Sequence, residues 1–149
     1  MRIALFQPDI PQNLGAMMRL CACLDIPLEI IEPCGFVWNK KKIEQSALDY
    51  YQSVKLTKHI SWEAFTMEYS DSRIILMTTK ASVPYTQFDF RKTDILLAGR
   101  ESAGAPDYVH EQSQGRVLIP MENNQRSLNI VNATAMIAGE ALRQTRWSL

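Results

Sequence analysis

Asp94-Ile95-Leu96-Leu97-Ala98-Gly99-Arg100-Glu101-Ser102-Ala103-Gly104-Ala105-Pro106 is the stretch on which the fold turns. After Asp94 it runs apolar without alternation, as a strand covered on both faces does, and such strands belong to parallel sheets sandwiched by helices. Two glycines and a proline follow, so the next loop can bring its backbone close to a ligand. Pro106–Gln112 then reads as a short helix with proline at an early position. Arg73–Met77 repeats the doubly buried pattern upstream.

Outward from there, strands and helices alternate. Arg2–Phe6, Pro27–Glu32, Ser53–Leu56 and Gly115–Ile119 read as strands. Asn13–Leu24 reads as a helix with Asn13 as its cap, because Leu14, Met17, Met18, Cys21 and Leu24 recur at helical spacing. Trp38–Leu48 reads as a helix whose wet side carries Lys40, Lys41, Lys42 and Glu44. Ser61 caps a helix running to about Tyr69, and Leu128–Gln144 is a long terminal helix with Ser127 or Asn129 as its cap. The order predicts an α/β fold over residues 1–149, a single domain with a mostly parallel sheet and helices on both faces. In open sheets of this kind ligands bind beyond the carboxyl ends of the strands. The loops after Phe6, Met77, Ala98 and Ile119 are therefore the ones to inspect.

Composition narrows the function classes. Lys plus Arg and Asp plus Glu both number 16, so the chain is no bulk polycation, although a local basic surface stays open. No apolar run approaches the ~20 residues of a membrane helix. The apolar stretch near Met1 is too short for a secretory signal. Three cysteines cannot all pair, which suggests a reducing, cytoplasmic setting. Cys21 and Cys23 would point about 200° apart on a helix, and His59 and His110 lie far apart in sequence, so no metal site is expected. The loop from Gly99 is neither a dinucleotide fingerprint nor a P-loop.

Two further features stand out. Arg19 is the one charge between Asn13 and Leu24, and its helical neighbours Gly15, Ala16, Ala22 and Cys23 offer it no acid. It either escapes to water, pairs with a distant carboxylate, or meets a phosphate or substrate. The second is the amide-rich Pro120–Asn129 segment, which leads into the terminal helix. Helix caps and ligand sites often coincide there, since free N–H groups point outward.

The segments Asn13-Leu14-Gly15-Ala16-Met17-Met18-Arg19, Gly99–Pro106, and Ile119-Pro120-Met121 with Arg126-Ser127-Leu128-Asn129-Ile130-Val131-Asn132 resemble the three motifs of the SPOUT superfamily of RNA methyltransferases. Ile31-Glu32-Pro33-Cys34-Gly35-Phe36-Val37-Trp38 with Leu48-Asp49-Tyr50, and the ending Glu140-Ala141-Leu142-Arg143-Gln144, look like its minimal TrmL (YibK-like) branch. That branch consists of the tRNA wobble-position 2′-O-methyltransferases. The resemblance implies a SPOUT-type sheet with a C-terminal trefoil knot, and transfer of a methyl group to the ribose 2′-OH of cytidine or uridine 34. It implies S-adenosyl-L-methionine as cofactor, held at Met77, Gly99, Ile119, Met121, Ser127 and Leu128. Catalytic roles fall on Arg19, Asn13, Ser127 and Asn129, with Arg19 as base or as phosphate holder. Partners are the anticodon region of tRNA and a second copy of the chain, which completes the site.

The homodimer is expected to use Ala135, Met136, Ile137, Ala138 and Ala141 of the terminal helix. Gly139 stands where relatives carry tyrosine. Glycine within a helix costs roughly 1 kcal/mol relative to alanine, which close approach of another helix would compensate. Lys40, Lys41 and Lys42, with Arg143 and Arg146, are either solvated or in contact with tRNA phosphates. A catalytically silent RNA-binding relative, or an enzyme acting at another RNA site, is the alternative function.

Overall fold

The computed structural model describes residues 1–147. The last two residues of the expected domain, Ser148 and Leu149, lie outside the described residues. Six strands form one sheet: β1 Arg2–Phe6, β2 Leu28–Ile31, β3 Leu56–His59, β4 Ile74–Met77, β5 Ile95–Ala98 and β6 Gly115–Val117. Their order is β3-β2-β1-β5-β4-β6, and every pairing is parallel. Among the described residues five α-helices accompany them: α1 Pro11–Leu24, α2 Lys40–Ala47, α3 Trp62–Glu68, α4 Asp107–Gln112 and, after the last strand, α5 Ile130–Thr145.

The period-two alternation of a strand explains both layers. In β1, Ile3 and Leu5 join Leu14, Met17, Met18, Ile43, Ile137 and Ala138, the core beneath α1, α2 and α5. Ala4 and Phe6 point the other way and join Trp62, Phe65 and Val109, beneath α3 and α4. β5 divides likewise, with Leu96 and Ala98 in the first core and Ile95 and Leu97 in the second. Each such aliphatic side chain contributes roughly 1.5–3 kcal/mol when fully buried. Helices on both faces of a parallel sheet are thus what the doubly apolar strands required.

Several boundaries differ from the sequence reading. α1 begins at Pro11, with Ile10 before it, so Asn13 is not its cap. Proline presets the first helical turn and gives up an N–H that has no partner there. β3 starts at Leu56 rather than Ser53, and Leu48–Tyr51 is a 3₁₀ turn. α2 runs Lys40–Ala47 rather than Trp38–Leu48, and the side chain of Asn39, its cap, accepts from Lys42 N at 3.1 Å. Ser61 caps α3 as the spacing predicted, accepting from Ala64 N at 3.0 Å. β6 ends at Val117. α5 opens at Ile130 under Asn129, whose Oδ1 accepts from Val131 N at 2.9 Å, so Asn129 rather than Ser127 is the cap.

The terminal helix also corrects the expected contact surface. Ile137, Ala138 and Ala141 are buried in the chain's own core, because they cover β5 and α1. Met136, 42% exposed, remains outward. A Cβ placed on Gly139 would meet nothing within 4 Å, so within the chain no helix approaches it closely. Gly15 is where helices do meet: a Cβ there would stand 2.2 Å from Ser46 Cβ on α2. Among the described residues, no helix is long and apolar enough to cross a membrane.

Candidate active site

The strand order reverses between β1 and β5, and the loops on either side of such a point diverge to open a crevice. Beyond the carboxyl ends of β5, β4 and β6 lies a cavity of about 470 Å³. That volume is in the range of small-molecule sites. Met77, Ile119 and Leu128 give it apolar walls. Gly99, Met121 and Ser127 line it as well, so all six expected cofactor positions meet in one place. Gly99 has a steric reason to be glycine, since a Cβ would fall 2.6 Å from Ala105 N and from Gly104 C. Gly104 takes φ +65°, which closes the loop onto Arg100 through two backbone hydrogen bonds of 2.9 and 3.1 Å.

Asn13 and Asn129 also face the cavity, and Asn129 Nδ2 donates to Asn13 Oδ1 at 3.1 Å. The pair ties the first turn of α1 to the cap of α5. Because Pro11 rather than Asn13 starts α1, the Asn13 amide is free for this contact. Arg19 is not brought to the cavity of its own chain. It is exposed two turns further along α1, with its guanidinium 5.4 Å from the centre of the Tyr50 ring. Among the described residues no acid forms an ion pair with it.

The sequence reading missed several lining residues. Thr78 and Thr79 follow β4, and Glu101 and Arg100 follow β5. Arg100 Nε donates to Gln7 Oε1 at 3.0 Å and lies 5.2 Å from the Phe6 ring centre, so this cation is committed to β1. Position along the two loops was the available signal, but which side chains turn inward depends on the turns themselves. Burial pushes the Cys21 thiol up to about 12 and Cys34 up to about 11, so neither supplies a thiolate at neutral pH. Among the described residues no group of three or more His, Cys, Asp or Glu is placed to hold a metal.

The basic candidates divide. Lys40, Lys41 and Lys42 are exposed, although Lys40 lies 3.6 Å from Glu44. Arg143 pairs with Glu140 at 2.7 Å, and Arg146 Nη1 donates to Leu24 O at 2.7 Å, so both arginines have structural work at the end of α5.

Residues 1–139 match the SpoU rRNA Methylase family, and the chain belongs to that family. A tRNA (cytidine(34)-2'-O)-methyltransferase of Beijerinckia indica is 51% identical over 144 residues, 95% of this chain and 90% of the relative. A solved structure that gives structural insights into the 2-OH methylation of C/U34 on tRNA superimposes with a TM-score of 0.91 at 36% identity. The superposition covers 96% of this chain and 94% of that one. The SpoU methyltransferase AviRb of Streptomyces viridochromogenes, in complex with AdoMet, shares the fold with a TM-score of 0.86 at 24% identity. There the match spans 97% of this chain and 60% of the other.

Proposed function

We infer that this chain is a tRNA 2′-O-methyltransferase that moves a methyl group from S-adenosyl-L-methionine to the ribose 2′-OH of the wobble nucleotide, cytidine or uridine 34. The observation that carries the reading is the single cavity shared by Met77, Gly99, Ile119, Met121, Ser127 and Leu128, in a chain 51% identical to an enzyme of that name. The apolar walls and the glycine backbone suit the donor's adenosine, and Glu101 offers a carboxyl to its cationic end.

When bound, the cofactor supplies a methyl group on a sulfonium, open to in-line attack by an oxygen. Met77, Ile119 and Leu128 exclude water around it. Ser127 binds on the cofactor side. The Asn13–Asn129 pair orients the ribose. Arg19 holds the phosphate beside the target nucleotide, since a guanidinium presents a planar fork of donors. Its distance from its own cavity points to service in the cavity of a second copy, so the working unit is a homodimer. The segment from β5 to α5 forms the family's C-terminal trefoil knot. The setting is the cytoplasm, with the anticodon region of tRNA as partner.

The test is methyl transfer to an unmodified tRNA transcript from labelled S-adenosyl-L-methionine. Label at nucleotide 34, resistant to alkaline cleavage at that ribose, is the expected result. Transfer to a base, or to no tRNA, would refute the reading.

A further inference from the structure

Asp9 takes no part in the methyl transfer described above, yet it bridges the sheet's reversal point through three hydrogen bonds. Its N–H donates to Glu101 Oε2 at 3.0 Å, and its Oδ1 accepts from Glu101 N at 3.2 Å. Its Oδ2 accepts from the Ser102 hydroxyl. Asp9 belongs to the loop leaving β1 for α1 on one face of the sheet. Glu101 and Ser102 belong to the loop leaving β5 for α4 on the other. Without these bonds the second loop is tied to the β1 side by Arg100 on Gln7.

A third loop fits against the same residue. Gly35 N donates to Pro8 O at 2.9 Å, and a Cβ on Gly35 would stand 2.5 Å from Asp9 Cβ. Glycine is thus the residue that lets the loop after β2 seat on Asp9. Glu101, half-buried, lines the cavity. The clasp therefore acts at the wall of the site rather than at a remote surface.

We propose that Asp9 is a positioning residue: its reciprocal clasp with Glu101 and Ser102 fixes the Gly99–Gly104 loop against the cavity, and methyl-donor affinity depends on that clasp. The proposal rests on the reading of the cavity as the S-adenosyl-L-methionine site.

All three bonds end on carboxylate oxygens, so the clasp is a set of charge-assisted contacts. The hydrogen bond from Glu101 keeps Asp9 below the ordinary carboxylate range, while burial, reinforced by Asp9, raises Glu101. The titratable and charged groups facing it are few. Arg100 is held by Gln7; Glu32 and Cys34 sit on the loop after β2, where the Cys34 thiol stays neutral.

The experiment is calorimetric titration of the full-length protein with S-adenosyl-L-methionine, for wild type, Asp9→Ala and Asp9→Asn, each checked for its melting temperature. Asp9→Ala is expected to weaken binding about tenfold, the effect of losing hydrogen bonds to a charged group. Asp9→Asn keeps an acceptor for Glu101 N and sets an amide nitrogen against the Ser102 hydroxyl, whose oxygen can accept from it, so it should bind within about threefold of wild type. Asp9→Ala matching wild type, or Asp9→Asn as weak as Asp9→Ala, would overturn the proposal. If Asp9→Ala fails to fold, Ser102→Ala decides, since it removes one bond of the clasp: donor binding equal to wild type would overturn the proposal. Failure of wild type itself to bind would instead refute the reading of the cavity.

Discussion

In the proposed homodimer, Arg19 and Gly99 serve one site from two copies of the chain. Arg19 lies exposed beside Tyr50, away from its own cavity, while Gly99 forms the cavity wall. Arg19→Ala should leave cofactor binding unchanged and lower turnover by roughly 10- to 100-fold, the worth of hydrogen bonds to a charged group. Gly99→Ala should cripple cofactor binding, because its Cβ would stand 2.6 Å from Ala105 N. Mixed and reassembled, the two inactive variants should recover about a quarter of wild-type turnover, since half the dimers are mixed and each holds one intact site. No recovery would mean that each copy works alone. Of these residues, Gly99 was legible in the sequence from its place after a doubly buried strand. Arg19 was legible as an unpartnered charge, but Tyr50 beside it was not, because a contact between α1 and the 3₁₀ turn after α2 leaves no spacing signal. Asp9 and Glu101 were equally hidden, being 92 residues apart.

Elements were readable where apolar periodicity carried them and misplaced where polar pairing did. β1 and β5 are apolar almost throughout, as strands covered on both faces are, and both were legible. β3 was displaced because Leu56–His59 is polar along most of its length. His59 is buried by its bond to Glu29 at 2.8 Å, and Glu29 is held by Arg2 at 2.7 Å. No local hydrophobic pattern announces a buried ion network. The same contrast sets the signs of two glycine substitutions. Alanine in place of glycine gains up to about 1 kcal/mol in an exposed helix. Gly139→Ala meets open space and should raise the melting temperature. Gly15→Ala would drive a Cβ into Ser46 and the backbone of α2. Overpacking of this kind costs about 1–3 kcal/mol, which outweighs the helix gain, so the melting temperature should fall. Calorimetric melting of both variants checks the pair, and equal shifts would contradict the packing at Gly15.

The whole molecule has to hold a polyanion with no net charge. With Arg143 and Arg146 engaged at the end of α5, the exposed Lys40, Lys41 and Lys42 are the foremost basic surface. The proposed homodimer would double it. Changing the three lysines to glutamine should raise the apparent KM for tRNA and leave cofactor binding intact. It should also reduce the log–log salt slope of tRNA binding by about 0.7–0.9 for each phosphate that is no longer neutralised. An unchanged slope would move the basic surface to Arg126 and its neighbours. Fold class and the loops of the cavity were legible at this scale because the alternation of strands and helices follows from pattern; the order of strands in the sheet was not, and the proposed knot and dimer were expected from resemblance, since threading and assembly have no period. The central claim, methylation of the wobble ribose, is tested most directly by mapping 2′-O-methyl groups in total tRNA from cells with and without this protein. Loss of the modification at nucleotide 34 alone, restored by wild type and not by Arg19→Ala, is the predicted result. An unchanged nucleotide 34, or loss at another position, would contradict the account.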